Sequence, residues 1–220
     1  MYLNVLKGNA FLSLLTATLF VLTSVSAYSQ EEKFLEGGHY ELLDEVQPVQ
    51  TGEKIEVVEM FWYRCPHCFR LEPFLIEWQK NMPENAEYVP VPALLNPKWE
   101  FEARVFYTFD ALGVLEDVHA KYFDAIHQQR LKIDTVEKLA TWSEENGVSG
   151  QAIKDTFQSF AVENKINFAN VMSRKYGITG VPAIIVDGRY RTSVSLAGGH
   201  DKLIELINFL IGKAAQARAS

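Results

Sequence analysis

The stretch Lys54–Cys68, KIEVVEMFWYRCPHC, contains the two features that decide the fold. Residues 54–63 are rich in β-branched and aromatic side chains, a composition typical of a buried central strand. Pro66 follows this run, and a proline in the first turn of a helix costs no hydrogen bond. The pattern therefore predicts a strand over 54–63 and a helix over 64–81, which Pro73 is expected to kink.

Working outward, a second strand is predicted over 86–93, irregular or at a sheet edge because Pro90 and Pro92 cannot donate ladder hydrogen bonds. Helical periodicity then replaces strand character as far as residue 169 and slightly beyond. The helices predicted in this part of the chain are Phe101–Leu112, Leu115–Gln128, Thr135–Asn146 and Ser149–Tyr176, the last with a break near its middle.

Strand character returns near the C-terminus. Residues 183–186 (AIIV) are followed by Asp187-Gly188, a strong signal for a two-residue hairpin turn, after which residues 189–193 can pair back. An amphipathic helix is predicted over Asp201–Ala214. The element order therefore predicts one α/β domain, formed by residues 28–95 and 170–220 and interrupted by a helical insertion at 96–169.

Composition narrows the class of protein. The chain has 220 residues, 48% of them hydrophobic, and a formal net charge of −7. An acidic balance without a long basic run argues against nucleic acid as the main partner, because phosphate binding needs clustered Lys and Arg.

The N-terminus combines Lys7, an apolar run and the small residues Val25-Ser26-Ala27. This pattern predicts a signal peptide over 1–27, with an uncleaved membrane anchor as the alternative.

The only two cysteines are Cys65 and Cys68. A bridge between residues this close would close a tiny loop and remove little chain entropy, so it would stabilise the fold little. Redox chemistry explains the spacing better. Half of a zinc site is the alternative, but the other four histidines are scattered along the sequence without ligand spacing, and we expect neither a metal nor an organic cofactor.

The position of Cys65-Pro66-His67-Cys68 after a strand and at the start of a helix suits a reactive thiolate. Unpaired backbone N–H groups and the helix dipole favour an anion at a helix N-terminus. His67 can add a positive charge or a hydrogen-bond donor. Both effects stabilise the Cys65 thiolate, which makes it a good leaving group and its disulfide easy to transfer.

A second motif, residues 177–182 (GITGVP), directly precedes the AIIV strand. A proline at this position can be cis, which would turn the Val181 backbone outward to pair with an extended peptide. A plain turn before the strand is the alternative. The Cys65/Cys68 pair upstream favours the functional reading of Pro182.

The stretch Glu59–Cys68 resembles the active-site segment of the DsbA family of thioredoxin-fold oxidoreductases. Residues 180–183 and 186–190 resemble that family's cis-proline strand and hairpin, and the resemblance extends over the layout of nearly the whole mature chain. It implies a thioredoxin-like α/β fold with an inserted all-helical domain. It also implies an enzyme that donates the Cys65–Cys68 disulfide to other proteins.

Roles for single residues follow from this resemblance. It implies that Cys65 is the exposed nucleophile that forms the mixed disulfide, that Cys68 is its buried partner and that His67 tunes the thiolate. Val181 and cis-Pro182 would face the disulfide and bind the substrate backbone.

Glu59 matches the family's buried acid, to which the proton of the inner cysteine is assigned. The residues themselves leave an outward-facing strand position open as the alternative. Family members often carry a lysine on the next strand facing this acid, whereas residues 88–92 here read YVPVP. Without that countercharge, the pKa of Glu59 should tend upward.

The implied substrates are reduced, unfolded secreted proteins in the periplasm, and the implied oxidant is a membrane quinone reductase of the DsbB type. A monomer is expected. Two alternatives remain: a reductase or isomerase of the same fold, and a periplasmic binding or chaperone module whose cysteines are not catalytic.

Phe69 and Leu71 are candidates for an apolar peptide-binding surface, with ordinary core packing as the alternative.

Overall fold

The computed structural model describes residues 33–219 and contains one five-stranded mixed sheet. The predicted signal peptide lies outside the described residues. The strands are β1 (Glu41–Leu42), β2 (Ile55–Phe61), β3 (Ala86–Pro92), β4 (Ala183–Val186) and β5 (Tyr190–Thr192). Their order across the sheet is β1-β5-β4-β2-β3. The strand that precedes the two cysteines is therefore central, as its apolar composition predicts.

Strand β2 pairs in parallel with β3 and antiparallel with β4. Every residue of β2 is buried, whereas β3, with Pro90 and Pro92, lies at the sheet edge. The edge position predicted from these prolines is confirmed, because a residue without an N–H group is tolerated only where no neighbouring strand needs that donor.

Eight helices surround or extend this sheet in the described part of the chain. They are α1 (Pro66–Gln79), α2 (Glu100–Ala111), α3 (Leu115–His127), α4 (Val136–Glu145), α5 (Gly150–Phe157), α6 (Phe160–Lys175), α7 (Val194–Ala197) and α8 (His200–Ala219). Helices α2 to α6 all lie between β3 and β4 in the sequence, and α5 and α6 are separated at residues 158–159 by the predicted break.

Two predictions about the C-terminal part are corrected. The last helix begins at His200 and continues to Ala219, well beyond the predicted end at Ala214. The short helix α7, capped by Ser193 and ended by Gly198 in a left-handed conformation, was not predicted. A four-residue helix shows less than two turns of periodicity, so its apolar pattern is too short to recognise.

The core has two parts on opposite faces of the sheet. Successive residues of β2 point to opposite faces, so Val57 packs in one part and Val58 in the other. Helices α1 and α8 cover the first face with Leu71, Leu75 and a series of α8 side chains. Helices α2 to α6 cover the second face, and Cys68 belongs to this part of the core.

The predicted hairpin is confirmed between β4 and β5. Asp187 and Gly188 have φ values of 57° and 58°, the left-handed conformation that a tight hairpin turn of this type requires. A side chain at Gly188 would place its Cβ 2.1 Å from the Gln47 carbonyl oxygen. Glycine is therefore needed there for space as well as for conformation. No helix in the described residues is both long and apolar enough to span a membrane.

Candidate active site

Cys65 lies at the N-cap of α1, with φ −79° and ψ 116°, and Pro66 occupies the first turn. Helix α1 thus starts two residues later than the predicted Arg64. The chain turns sharply after β2, where the Cys65 amide donates to the Trp62 carbonyl over 2.9 Å. The Cys65 sulfur consequently sits where the first amides of the helix point outward unpaired.

The surroundings of Cys65 favour its thiolate and lower its pKa to about 6. The largest cause is a hydrogen bond from the Cys68 side chain, which burial of Cys65 opposes. The backbone N–H groups of Cys68 and His67 and the charge of His67 lower the pKa further. The helix N-terminus and His67 therefore act in the predicted direction, while the contribution of the Cys68 thiol was not predicted.

Cys65 is less exposed than predicted, with only 6% of its surface accessible. Its Sγ atom lies 3.4 Å from the Val181 carbonyl oxygen, to which the protonated thiol donates. The expectation of an exposed nucleophile is therefore wrong for this conformation, since the turn before β4 covers much of the sulfur. Cys65 is still the more accessible of the two cysteines, because Cys68 is fully buried.

Cys68 has the opposite electrostatic surroundings. Burial raises its pKa well above the usual value, and its hydrogen bond to Cys65 and the charge of Glu59 raise it further. Both cysteines are free thiols in this structure. The pair thus holds one sulfur that readily loses its proton and one that retains it.

The peptide bond between Val181 and Pro182 is cis, as the sequence suggested. Pro182 is buried at the head of β4, while Val181 is half-buried with its carbonyl toward Cys65. A groove of about 610 Å³ runs beside this turn, lined by His67, residues 177–183 and residues 191–196 among others. It offers space for a polypeptide segment next to the reactive sulfur.

Arg191 fixes the segment that leads into this turn. Its guanidinium donates to the Tyr176 carbonyl over 2.8 Å and also to the Gly177 carbonyl. The same side chain pairs with Glu41 of β1 at 2.7 Å. A bidentate guanidinium thus ties the sheet edge to the loop that carries Val181.

Glu59 is buried, which corresponds to the inward-facing reading of this residue. Its Oε2 atom accepts a hydrogen bond of 2.5 Å from the Tyr88 hydroxyl, and no described residue is a partner for Oε1. Burial, followed by the charge of Glu72, raises its pKa to about 8. The predicted upward shift is confirmed, and the side chain of β3 that contacts Glu59 is that of Tyr88, two residues before its paired residue Pro90.

A second buried acid, Glu72 on α1, was not predicted to belong to the site. Its Oε1 atom lies 3.5 Å from Nε2 of His119 on α3, and Nδ1 of that ring lies 2.7 Å from the Tyr63 hydroxyl. Glu72 follows Cys68 by four residues, so helical spacing could have placed both on one face of α1. The position of His119 could not be read from the sequence, because it depends on how α3 packs.

The residues just before Cys65 are anchored to the helical part of the chain. Arg64 forms an ion pair with the buried Glu102 and donates to the Ile133 carbonyl over 2.7 Å. The Trp62 indole also donates to Glu102, and its ring stacks on Trp99 at 4.4 Å between centroids. These contacts hold the link between β2 and α1 in place.

The remaining candidates divide between surface and core. Leu71 is fully buried, so its assignment to a peptide-binding surface is wrong, while Phe69 is half-buried and stacks on His127 at 4.7 Å. Among residues 33–219, no group of three or more His, Cys, Asp or Glu side chains is arranged to hold a metal ion. The described part of the chain thus offers the two thiols no further metal ligands.

Comparison with known proteins gives matching results. A family model described as a DSBA-like thioredoxin domain matches residues 82–206. The thiol:disulfide interchange protein DsbA of Pseudomonas aeruginosa is 35% identical over 204 residues, which cover 93% of this chain and 97% of that protein. The protein of the same name from Burkholderia cepacia is 31% identical over 176 residues, 80% of this chain and 83% of the relative.

Solved structures show the same similarity. The crystal structure of Pseudomonas aeruginosa DsbA matches with a TM-score of 0.81 and 35% identity, covering 85% of this chain and 97% of the other. The oxidoreductase DsbA from Xylella fastidiosa matches with a TM-score of 0.76 and 28% identity, covering 84% and 97%. These similarities confirm the thioredoxin-like fold class predicted from the sequence.

Proposed function

The chain belongs to the DsbA family of thioredoxin-fold proteins and is a thiol:disulfide oxidoreductase, and from this premise we propose that Cys65 and Cys68 form the disulfide that it donates. The observation that carries this proposal is the opposite effect of the surroundings on the two thiols. The pKa of Cys65 falls to about 6, whereas that of Cys68 rises. A sulfur that is stable as an anion is a good leaving group, so its disulfide is readily passed on.

The first step is attack by a substrate thiolate on Cys65 of the oxidised pair. A bond forms between the substrate sulfur and the Cys65 sulfur, the Cys65–Cys68 bond breaks, and its electron pair remains on Cys68. Burial disfavours the resulting Cys68 thiolate, which therefore takes up a proton. Glu59 supplies that proton, because burial and the charge of Glu72 raise its pKa and so favour a protonated carboxyl group.

The second step releases the oxidised substrate. A second substrate thiolate attacks its own sulfur in the mixed disulfide, and the electron pair of the broken bond leaves on Cys65. The amides at the start of α1, the Cys68 thiol and His67 stabilise this thiolate. The substrate loses two electrons and two protons in total. The enzyme is left reduced, with Cys68 as the thiol and Cys65 as the thiolate, and Glu59 regains a proton from solvent.

Val181 and Pro182 form the proposed substrate-binding edge. The closeness of Cys65 to the Val181 carbonyl and the groove beside the cis peptide bond support this role. An extended substrate chain in the groove would place its cysteine beside the reactive sulfur. Arg191 contributes by holding the preceding loop in place.

The wider setting belongs to the same proposal. The signal-peptide pattern over 1–27 would direct the chain to the periplasm, where its substrates would be reduced, unfolded secreted proteins. The dithiol left after each cycle needs an electron acceptor, for which we propose a membrane quinone reductase of the DsbB type. The proposed units are a thioredoxin-like domain of residues 28–95 and 170–220 and a helical domain of residues 96–169, acting as a monomer.

A substrate assay tests this function. Oxidised protein is mixed with a reduced, unfolded protein whose activity requires its disulfides, and recovery of that activity is followed with time. One equivalent of oxidised enzyme should form up to one substrate disulfide and appear as free dithiol. Failure of wild-type protein to oxidise the substrate, while remaining folded, would contradict the proposal.

Equilibration with glutathione separates oxidase from reductase. A donor of disulfides should be largely reduced in a buffer where a thioredoxin-like reductase is largely oxidised. Alkylation of free thiols followed by mass measurement gives the reduced fraction. A reduction potential as low as that of thioredoxin would assign the chain to the reductase alternative.

A further inference from the structure

Two buried carboxyl groups lie behind the cysteine pair, and the reaction steps above use only one of them. Glu59 is 1% and Glu72 8% exposed. The charge of Glu72 raises the pKa of Glu59, which places the two groups within electrostatic range of each other. Ionising both would put two like charges in one poorly solvated region, so holding a proton on one of them is favoured.

The surroundings of the two acids are unequal. Glu59 accepts one hydrogen bond, from Tyr88, and its second oxygen is without a partner among the described residues. The Glu72 side chain is 11% exposed, and its Oε1 atom faces Nε2 of His119 at 3.5 Å. Glu59 is therefore the better place for the buried proton.

The orientation of the His119 ring is fixed by Tyr63. Burial raises the pKa of the Tyr63 hydroxyl well above its usual value, so this group keeps its proton and can donate to Nδ1 of His119, 2.7 Å away. The Glu72 carboxylate beside Nε2 can only accept, which favours the tautomer in which Nδ1 accepts from Tyr63. The ring proton then lies on Nε2, which faces Glu72. An Nε2–H group stabilises a carboxylate whether the imidazole is neutral or protonated.

The ring has few other polar neighbours. The aromatic side chains around it, besides Tyr63, are Phe61, Phe106 and Phe123, with ring centroids 5.5, 5.9 and 5.2 Å away. They come from β2, α2 and α3. In the part of the chain that the structure describes, Tyr63 and Glu72 are thus the titratable groups in contact with His119.

We propose that His119 is a positioning residue that acts through Glu72 to keep the buried proton of the site on Glu59, beside Cys68. This inference rests on the proposed function, in which Glu59 gives its proton to Cys68 as the disulfide opens. His119 touches neither substrate nor sulfur. Its effect depends on stabilising the Glu72 carboxylate, whose charge holds the proton on the other acid.

The pH dependence of disulfide opening tests this role. Oxidised protein is mixed rapidly with dithiothreitol, tryptophan fluorescence follows reduction, and the rate constant is divided by the thiolate fraction of the reagent. For the wild type, this corrected rate should fall as pH rises through the raised pKa of Glu59, which produces a break in the pH profile. Glu59→Gln should remove the break.

His119→Phe keeps an aromatic ring among its phenylalanine neighbours but removes the Nε2–H group. Without this donor the charge of Glu72 is less well stabilised, so the buried proton is held less firmly on Glu59 and the break should move down by at least about one pH unit. His119→Gln keeps an N–H donor and should restore at least half of the shift. His200→Phe, which alters an imidazole stacked on Phe74, is the matched control and should coincide with the wild type.

A double-mutant comparison tests whether the effect passes through Glu72. Glu72→Gln should lower the break, and adding His119→Phe should lower it no further. An additive shift, or an unchanged break in folded His119→Phe, would overturn the proposal. If His119→Phe does not fold, Glu72→Gln is compared with Glu72→Gln/His119→Gln: equal breaks support the proposal and a further shift overturns it.

The inference and the proposed function fail differently. If wild-type protein does not oxidise reduced substrate, the proposed function fails. If it does, but the break is insensitive to His119 and Glu72, only the role of His119 is lost. Tyr63→Phe adds a check, because a ring without its Nδ1 partner no longer favours the Nε2 proton and should give an intermediate shift.

Discussion

The active site has two parts, a mouth at the start of α1 that contains Cys65 and an interior behind it that contains Cys68. These two parts shift the pKa values of two identical thiol groups in opposite directions. At the mouth, Cys65 meets backbone amides, a thiol donor and the charge of His67, which together lower its pKa. In the interior, Cys68 meets apolar burial and the carboxyl group of Glu59, which raise its pKa. The two residues are one helical turn apart in α1.

The position of each sulfur relative to the start of α1 therefore determines whether it loses or keeps its proton. Donors converge on the first sulfur because a helix N-terminus leaves its amides unpaired, while the second sulfur points into the core of the sheet. The asymmetry decides which sulfur is attacked and which one needs a proton. Variants that remove the surroundings of either sulfur should therefore abolish the difference between the two pKa values. Milder substitutions should show how much each contact contributes to that difference.

The largest effect is expected from removing one sulfur at a time. Cys65→Ser should reduce substrate oxidation to the uncatalysed background, because no disulfide and no low-pKa thiolate remain. Cys68→Ser also lacks the disulfide, but its Cys65 thiolate should accept a preformed substrate disulfide and accumulate as a mixed disulfide. Gel analysis without reducing agent distinguishes these species. An equal yield of mixed disulfide from Cys65→Ser would contradict the assignment.

The interior should dominate the pH dependence of stability in the oxidised protein. Because burial raises the folded-state pKa of Glu59 above 4.5, folding takes up a proton there, and its stabilising contribution is lost as pH rises from 4.5 through the raised pKa. The slope should be up to about 1.4 kcal/mol per pH unit. Urea unfolding of wild type and Glu59→Gln measures the difference.

Glu77→Gln, which alters an exposed carboxylate on α1, is the control and should keep the wild-type slope.

The mouth should act in the opposite direction in the reduced protein. The folded-state pKa of Cys65 is lowered, so its stabilisation is present above the pKa of the unfolded thiol and is lost as pH falls through about 6. A reduced protein with the same slope as the oxidised one between pH 6 and 8 would contradict this account.

A finer test compares two substitutions of the inner cysteine. The hydrogen bond from Cys68 is the largest cause of the lowered Cys65 pKa. Cys68→Ala removes the donor and should raise that pKa by about one to two units, since hydrogen bonds to charged groups contribute about 1.5–3 kcal/mol. Cys68→Ser keeps a hydroxyl donor and should raise it less. Alkylation rates against pH provide the measurement, and equal pKa values would remove Cys68 from the explanation.

The smallest effect is expected at His67. Its charge is the last of the causes that lower the Cys65 pKa, and its backbone N–H group remains in any variant other than proline. His67→Gln should therefore raise the Cys65 pKa by less than Cys68→Ala does. A larger rise, measured by the same alkylation profile, would mean that side-chain charge outweighs the hydrogen bond.

How much the sequence could predict differs between these two regions. The mouth is local: strand β2, the start of α1 and the cis proline before β4 were each predicted from contiguous motifs, because local backbone chemistry determines them. Even there, the low exposure of Cys65 was missed: the resemblance implied that Val181 faces the disulfide, but not that Cys65 would be only 6% exposed.

The interior depends on packing between distant elements. Burial of Glu59 was implied by the family resemblance, while the residues alone left an outward-facing position open. The sequence indicated only that residues 88–92 contain no lysine, and it did not single out Tyr88 as the partner of Glu59. His119 was one of several histidines scattered along the sequence. Which side of α3 faces α1 is set by tertiary packing of the helices, and periodicity within α3 does not reveal the residue opposite Glu72.

The proposed chemistry depends on the charge of the Cys65 sulfur at neutral pH. Ultraviolet absorbance of the thiolate, followed against pH in reduced wild-type protein with Cys65→Ser as the blank, measures it directly. One group should titrate with a pKa of about 6, while the second cysteine remains protonated well into the alkaline range. A first titration near about 8.5, the value of an ordinary cysteine, would contradict the account.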